Sequence, residues 1–117
     1  MTKNASVTLY HNPRCSKSRA ALALLREHGV EPTIVEYLQN PPSATELKKI
    51  LKMLNLKPRE LLRQKEAKEV GLLAGNLTDD AIIAGMVKNP ITIERPIAVH
   101  GDRAALGRPP EQVLIVI

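Results

Sequence analysis

The sequence predicts an α/β protein with one mixed sheet, in the element order β-α-β, a helical block, and then β-β-α. Three observations carry this prediction. Residues 7–10 form a short apolar run before the strong helix former at 20–25, residues 43–89 have helical patterns, and β-branched residues return at 97–100. We therefore expect a single domain over residues 1–117, with a helical insertion at about 43–89.

The composition is that of a globular protein and limits the classes of function. Of the 117 residues, 44% are hydrophobic and 25% are charged. No apolar run has transmembrane length, residues 1–10 lack the apolar block of a signal peptide, and the single cysteine cannot form an internal disulfide. We therefore expect a cytoplasmic protein with no membrane partner. We also expect no metal site and no bound cofactor.

The net charge of +5 suits a phosphate-like ligand or a nucleic acid. The lysines are scattered along predicted helix faces, and aromatic residues that could stack on bases are nearly absent. The sequence thus argues against nucleic-acid binding.

The first unit reads as strand, helix, strand. A strand at 7–10 leads to a helix at about 16–28, which Gly29 closes, and a β-branched strand follows at 33–37. Because a helix connects the two strands, we expect them to pair in parallel.

The helical block consists of several short elements. Ser43 and Glu46 have the spacing of a capping box before an amphipathic helix, and Thr78 caps a helix at about 79–88. Between these helices, residues 58–63 predict a short helix with an early proline, and residues 66–73 look weakly helical.

The chain then returns to β structure. Residues 97–100 and 103–106 predict a hairpin around a turn at Gly101 and Asp102. Residues 111–117 are β-branched, but a helix is favoured because prolines stand at its start. A parallel pair joined to an antiparallel hairpin, with helices packed on the sheet, is the thioredoxin-like arrangement.

Cys15 is the residue best placed for chemistry. It lies between the first strand and the first helix, where free backbone N–H groups and the helix dipole favour a thiolate. Arg14, Lys17 and Arg19 add positive charge nearby. The pattern predicts a nucleophilic cysteine that meets an anion, although a lone cysteine can also be a small core residue.

The sequence excludes two common uses of such a cysteine. Ser18 stands where a disulfide oxidoreductase has its second cysteine, and residue 21 is alanine where a tyrosine-phosphatase loop has arginine. Cys15 therefore acts alone or with a thiol from another molecule.

Several other residues have both a functional and a structural interpretation. Arg63, Arg95 and Arg108 stand at element boundaries and could converge on an oxyanion, or could be solvated surface charges. His11 could lower the pKa of the cysteine or be a buried histidine, and Ser18 could bind the thiolate or serve the helix start. Pro96 could begin an edge strand or be a cis proline beside the site.

These residues, in this order and spacing, resemble the glutaredoxin-coupled arsenate reductases of bacteria, the ArsC type. The resemblance runs from about residue 7 to the C-terminus. It is carried by His11-Asn12-Pro13-x-Cys15-x-x-Ser18-Arg19, Glu31-Pro32-Thr33, Tyr37-Leu38-x-Asn40-Pro41-Pro42-Ser43, Leu61-Leu62-Arg63, Thr78-Asp79-Asp80, Asn89-Pro90, Arg95-Pro96-Ile97 and Arg108-Pro109.

The resemblance implies a thioredoxin-like fold with a helical insertion and a redox role for Cys15. Its thiolate would attack arsenate, glutathione as co-substrate would complete reduction to arsenite, and glutaredoxin would regenerate the enzyme. Arg63, Arg95 and Arg108 match the oxyanion-binding positions, and His11 and Ser18 match residues that favour the thiolate.

Two other functions remain open from the sequence. A glutathione-dependent thiol or disulfide reductase would keep Cys15 but would not require three arginines. A regulator of the Spx type would share the fold and bind RNA polymerase, but redox-sensing members usually have the Cys-x-x-Cys switch that is missing here.

Overall fold

The structure is a computed structural model and describes residues 7–117. In these residues, four strands and four α-helices follow in this order: β1 (Val7–His11), α1 (Ser16–Glu27), β2 (Thr33–Glu36), α2 (Ala44–Leu54), α3 (Gln64–Glu69), α4 (Asp79–Lys88), β3 (Ile97–His100) and β4 (Arg103–Leu106). Three 3-10 helices add to these, at Pro58–Leu61, Pro90–Thr92 and Pro110–Val116.

The four strands form one mixed sheet in the order β2-β1-β3-β4. β1 pairs with β2 in parallel, while β3 is antiparallel to both β1 and β4. The predicted mixed α/β class and its parallel pair and hairpin are confirmed. The parallel register places His11 beside Glu36 at the end of β1 where the Cys15 turn begins.

The chain divides into two compact units, and the first comprises the described residues up to Asn40 together with Arg95–Ile117. It contains the whole sheet, α1 and the last 3-10 helix. Its core is aliphatic, since Val7 and Leu9 of β1 point to the same side and are fully buried in one cluster with Leu25 of α1 and Val113.

The second unit is Pro41–Glu94 and contains α2, α3 and α4. α2 begins with the predicted capping box, in which Ser43 Oγ accepts from the Glu46 amide at 3.1 Å and the Glu46 carboxylate accepts from the Ser43 amide at 2.9 Å. Thr78 caps α4 through its hydroxyl, as the sequence predicts.

Some predicted bounds are wrong. The helix predicted weakly at 66–73 is α3 at Gln64–Glu69, and the chain beyond it turns at Gly71, whose φ is +77°. The strand predicted at 33–37 ends at Glu36 and the helix predicted at 16–28 ends at Glu27. The short helix predicted at 58–63 is a 3-10 turn at Pro58–Leu61.

The C-terminal segment is a helix and not a strand, in agreement with the sequence analysis. It is a 3-10 helix at Pro110–Val116. Within residues 7–117, no helix has both the length and the apolar character needed to cross a bilayer.

Candidate active site

A tight turn positions Cys15 at the junction of β1 and α1. The Cys15 amide donates to the Asn12 carbonyl at 2.9 Å, and Asn12 Oδ1 accepts from the Arg14 amide at 3.0 Å. Arg19 braces the turn from α1 by donating from Nη1 to the Pro13 carbonyl at 3.0 Å. These hydrogen bonds hold Cys15 as the N-cap residue of α1.

The position of Cys15 lowers the pKa of its thiol. Partial burial raises that pKa, but the Ser18 amide, the Arg95 side chain and the Lys17 amide each lower it, and the net shift is downward from 9.0. The sulfur makes no capping hydrogen bond of standard geometry, so the two amides act on it mainly as local dipoles. The sulfur is thus favoured as a thiolate.

Arg95 provides a positively charged side chain that lowers the pKa of the Cys15 thiol. It lies two residues before β3 and is only 6% exposed. Its Nε and Nη1 are fully buried and have no hydrogen-bond partner among residues 7–117. A buried guanidinium with free donors beside a thiolate suits an oxyanion, which offers several acceptor oxygens.

Arg108 lies next to Arg95. Its Nη1 donates to the Arg95 carbonyl at 3.4 Å. The Arg95–Pro96 and Arg108–Pro109 peptide bonds are both cis, in agreement with one of the two interpretations of Pro96. The structure therefore brings Arg95 to Cys15 and places Arg108 against the Arg95 backbone, while the anion-binding role of Arg108 remains a prediction.

Ser18 is fully buried in the first turn of α1. Its hydroxyl accepts from the Asn12 amide at 3.1 Å, and so it fastens the turn that carries Cys15. What lowers the pKa of Cys15 is the backbone amide of Ser18. The role of the hydroxyl in favouring the thiolate remains a prediction, and its hydrogen bond to the Asn12 amide gives the side chain a positioning task.

His11 is buried at the end of β1, with 6% of its surface exposed. Burial lowers its pKa below 6.5, Glu36 raises it, and Arg26 and Arg19 lower it further, with a net lowering. The imidazole is therefore neutral at pH 7. A neutral ring adds no positive charge beside the thiolate, and its Nδ1 is buried with no hydrogen-bond partner among residues 7–117. The role of His11 in favouring the thiolate remains a prediction.

Arg63 belongs to the second unit, as the N-cap residue of α3. Its Nε contacts Glu66 Oε1 at 3.1 Å, and both side chains are largely buried, 25% and 19% exposed. The ion pair holds the guanidinium in a fixed orientation. The anion-binding role of Arg63 remains a prediction that rests on the motif.

Sequence reasoning missed Asn12 as a residue that shapes the Cys15 turn and Glu66 as the ion-pair partner of Arg63. Asn12 had a local signal, because asparagine before proline is typical of a turn in which the side chain accepts from the backbone. Residues 7–117 hold no cluster of three or more His, Cys, Asp or Glu side chains that could bind a metal.

The fold and the site define a class: a thioredoxin-like α/β protein with one activated cysteine and a buried arginine at the same site. Comparison with known proteins narrows this class. Residues 10–116 match the ArsC family model.

The relatives agree with the family match. The chain is 52% identical over 120 residues to "Uncharacterized protein YfgD" of Escherichia coli K12, covering 100% of this chain and 99% of the relative. It is 44% identical over 114 residues to an arsenate reductase of Neisseria meningitidis serogroup A, covering 95% of this chain and 97% of the relative. The solved structure of an arsenate reductase from Vibrio cholerae superimposes with a TM-score of 0.92 at 46% identity, covering 97% of this chain and 98% of that one. The chain belongs to the ArsC family.

Proposed function

We propose that this protein is an arsenate reductase that uses glutathione and glutaredoxin. One observation carries the proposal most directly. The guanidinium of Arg95 is 6% exposed, has two buried donors without partners among the described residues, and lowers the pKa of the Cys15 thiol. This pairing of a nucleophile with a buried cation suits a substrate that is both an electrophile and an anion.

The first step is nucleophilic attack. The Cys15 thiolate forms a bond to the arsenic atom, and one arsenate oxygen leaves as water after protonation. Donors from Arg95 and Arg108 neutralise the charge on the remaining oxygens as the new bond forms. Arg63 is proposed to assist from the matching motif position.

The second step needs an outside thiol, because Cys15 is the only cysteine in the chain. Glutathione attacks the Cys15 sulfur, which forms a mixed disulfide. The electron pair of the sulfur–arsenic bond stays on arsenic, which is reduced from As(V) to As(III) and leaves as arsenite. Glutaredoxin then removes the glutathionyl group by thiol–disulfide exchange.

This scheme has consequences for partners and location. The protein needs no bound cofactor, since glutathione is a co-substrate. It works in the cytoplasm, where glutathione and reduced glutaredoxin are available.

The direct test is arsenate-dependent oxidation of NADPH in an assay coupled through glutathione, glutaredoxin and glutathione reductase. Cys15→Ser is expected to abolish turnover, while Lys49→Gln, a change at an exposed residue of α2, keeps it. Absence of turnover at millimolar arsenate with active coupling proteins would refute the proposal.

The arginines separate arsenate reduction from general thiol reduction. Removal of a preorganised donor to a developing oxyanion costs about 10²–10³ in kcat, so Arg95→Ala should show a loss of that order with arsenate. Arg63→Ala and Arg108→Ala should also reduce arsenate turnover. If all three variants reduce arsenate as fast as the wild-type protein, the assignment of these arginines as the oxyanion site is wrong.

A further inference from the structure

A cleft lies beside the Cys15 turn, on its β2 side, and has no part in the chemistry described above. Its volume is about 310 Å³, at the lower end of the range for small-molecule sites. It is lined chiefly by His11, Asn12, Arg14, Glu36, Leu38 and Gln39.

The cleft carries one charge of each sign. Arg14 and Glu36 both line it, and both are exposed. Neither forms an ion pair with another side chain in the part of the chain that the structure describes. Two opposite charges that face one cleft without pairing suit a ligand that itself carries a carboxylate and an ammonium group.

The uncharged lining suits the remainder of such a ligand. The amide side chains of Asn12 and Gln39 can hydrogen-bond to peptide groups. Leu38 is a 40% exposed apolar side chain, which can cover a methylene chain. A pair of opposite charges, neighbouring amide side chains and a small apolar surface together suit the zwitterionic end of a short peptide.

The cleft is within reach of the nucleophile. The Cys15 amide donates to the Asn12 carbonyl at 2.9 Å, and the two ends of such a turn lie within about 7 Å of each other. An extended tripeptide spans about 10 Å. A peptide held by its zwitterionic end in the cleft can therefore present a thiol at Cys15.

We propose that this cleft binds the zwitterionic end of the peptide thiol that attacks Cys15, with Arg14 on the carboxylate and Glu36 on the ammonium group. The inference deepens the proposed function, since it assigns the co-substrate subsite of that reaction. It also gives Arg14 a task other than activation of the thiol. Glutathione has the required chemistry: a free amino acid end, two amides and a central thiol.

The binding test is independent of turnover. S-methylglutathione, which cannot exchange, is titrated into the isotope-labelled protein, and backbone amide shifts are followed by NMR. We expect shifts concentrated at residues 12, 14, 36, 38 and 39. Arg14→Gln and Glu36→Gln should each weaken binding by about three- to fivefold, as for exposed charge pairs.

Matched controls are available for both substitutions. Lys49→Gln and Glu27→Gln remove the same charges at exposed residues elsewhere, on α2 and at the far end of α1, and should leave the affinity unchanged. In steady-state assays, Arg14→Gln should raise the KM for glutathione and leave the KM for arsenate unchanged.

The outcomes separate this inference from the proposed function. If arsenate is not reduced but S-methylglutathione shifts the cleft residues, the subsite stands and the reaction is wrong. If shifts are absent, or fall only around Arg95 and Pro96, the subsite is wrong even where arsenate is reduced. Shifts at the cleft that appear only with glutaredoxin would make it a protein-docking surface and overturn the inference.

Discussion

At the scale of single residues, Cys15 is activated by groups that differ from its charged sequence neighbours. The Ser18 and Lys17 amides and the Arg95 guanidinium lower the pKa of its thiol. Arg19 is engaged with the Pro13 carbonyl, and His11 is neutral because it is buried. The thiolate is therefore favoured by the start of α1 and by one arginine from a distant segment.

The first prediction concerns Arg95. Arg95→Gln should raise the pKa of Cys15, because it removes a charged side chain that lowers that pKa. The pH dependence of iodoacetamide alkylation measures the pKa. Arg14→Gln is the matched control and should leave the profile in place. Equal shifts from both variants would mean that general positive charge, rather than Arg95, favours the thiolate.

The second prediction separates the two contributions of Ser18. Ser18→Ala removes the acceptor of the buried Asn12 amide and should lower the free energy of unfolding by about 1–3 kcal/mol. It keeps the backbone amide that faces the sulfur, so the pKa of Cys15 should stay low. Urea denaturation and the alkylation profile measure the two effects. A raised pKa with unchanged stability would assign the hydroxyl directly to the thiolate.

At the scale of elements, the segment after β4 packs closely on the segment before β3. The Gly107 amide donates to the Pro96 carbonyl at 2.8 Å. A Cβ atom on Gly107 would lie 2.6 Å from Pro96 Cγ and 3.0 Å from Val113 Cγ1. Only glycine fits here without displacing the residue that follows Arg95.

Gly107→Ala should therefore destabilise the protein by about 1–3 kcal/mol, the usual cost of overpacking. Gly75→Ala is a suitable control, because a Cβ there meets nothing within 4 Å. Chemical denaturation of both variants measures the difference. Equal stability would show that Pro96 and Val113 shift aside without cost.

At the scale of the whole molecule, the titration of His11 links folding to pH. Its pKa is lowered in the folded state, so the unfolded chain binds more protons below the ordinary value of 6.5. Stability should fall as the pH drops from 6.5 towards the folded-state pKa, and this contribution should level off below it.

Urea denaturation across this pH range measures the effect. His11→Asn should flatten the pH dependence, whatever its effect on absolute stability. If the variant and the wild-type protein lose stability in parallel, then groups other than His11 cause the loss.

The element order of the fold could be predicted from the sequence because its signals are local. The capping box of Ser43 and Glu46 and the turn at Gly101 are both encoded within a few residues. The 3-10 geometry of Pro110–Val116 could not be predicted in this way, because packing of Val113 and Val116 in the core competes with α-helical spacing.

The site was predictable only in part. Cys15 could be predicted from its position before α1. The proximity of Arg95 to Cys15 could not, because it depends on how β3 pairs with β1 in the sheet. The pairing of Arg63 with Glu66 and the neutral state of His11 likewise depend on burial, which local pattern does not give. The motif therefore indicates which residues are candidates for the site, whereas their charge states and interaction partners depend on the folded structure.

The two free donors of Arg95 also bear on how the protein is stabilised. Buried guanidinium donors that lack hydrogen-bond partners cost free energy of folding, and a bound oxyanion would offset that cost. Arsenate should thus act as a ligand-linked stabiliser, and would raise the free energy of unfolding by about 2.7 kcal/mol at about one hundred times its Kd. Thermal melting with and without arsenate measures the effect, which Arg95→Gln should largely remove. Bound arsenate would thus supply the hydrogen-bond acceptors that the buried donors of Arg95 lack among residues 7–117 of the free protein.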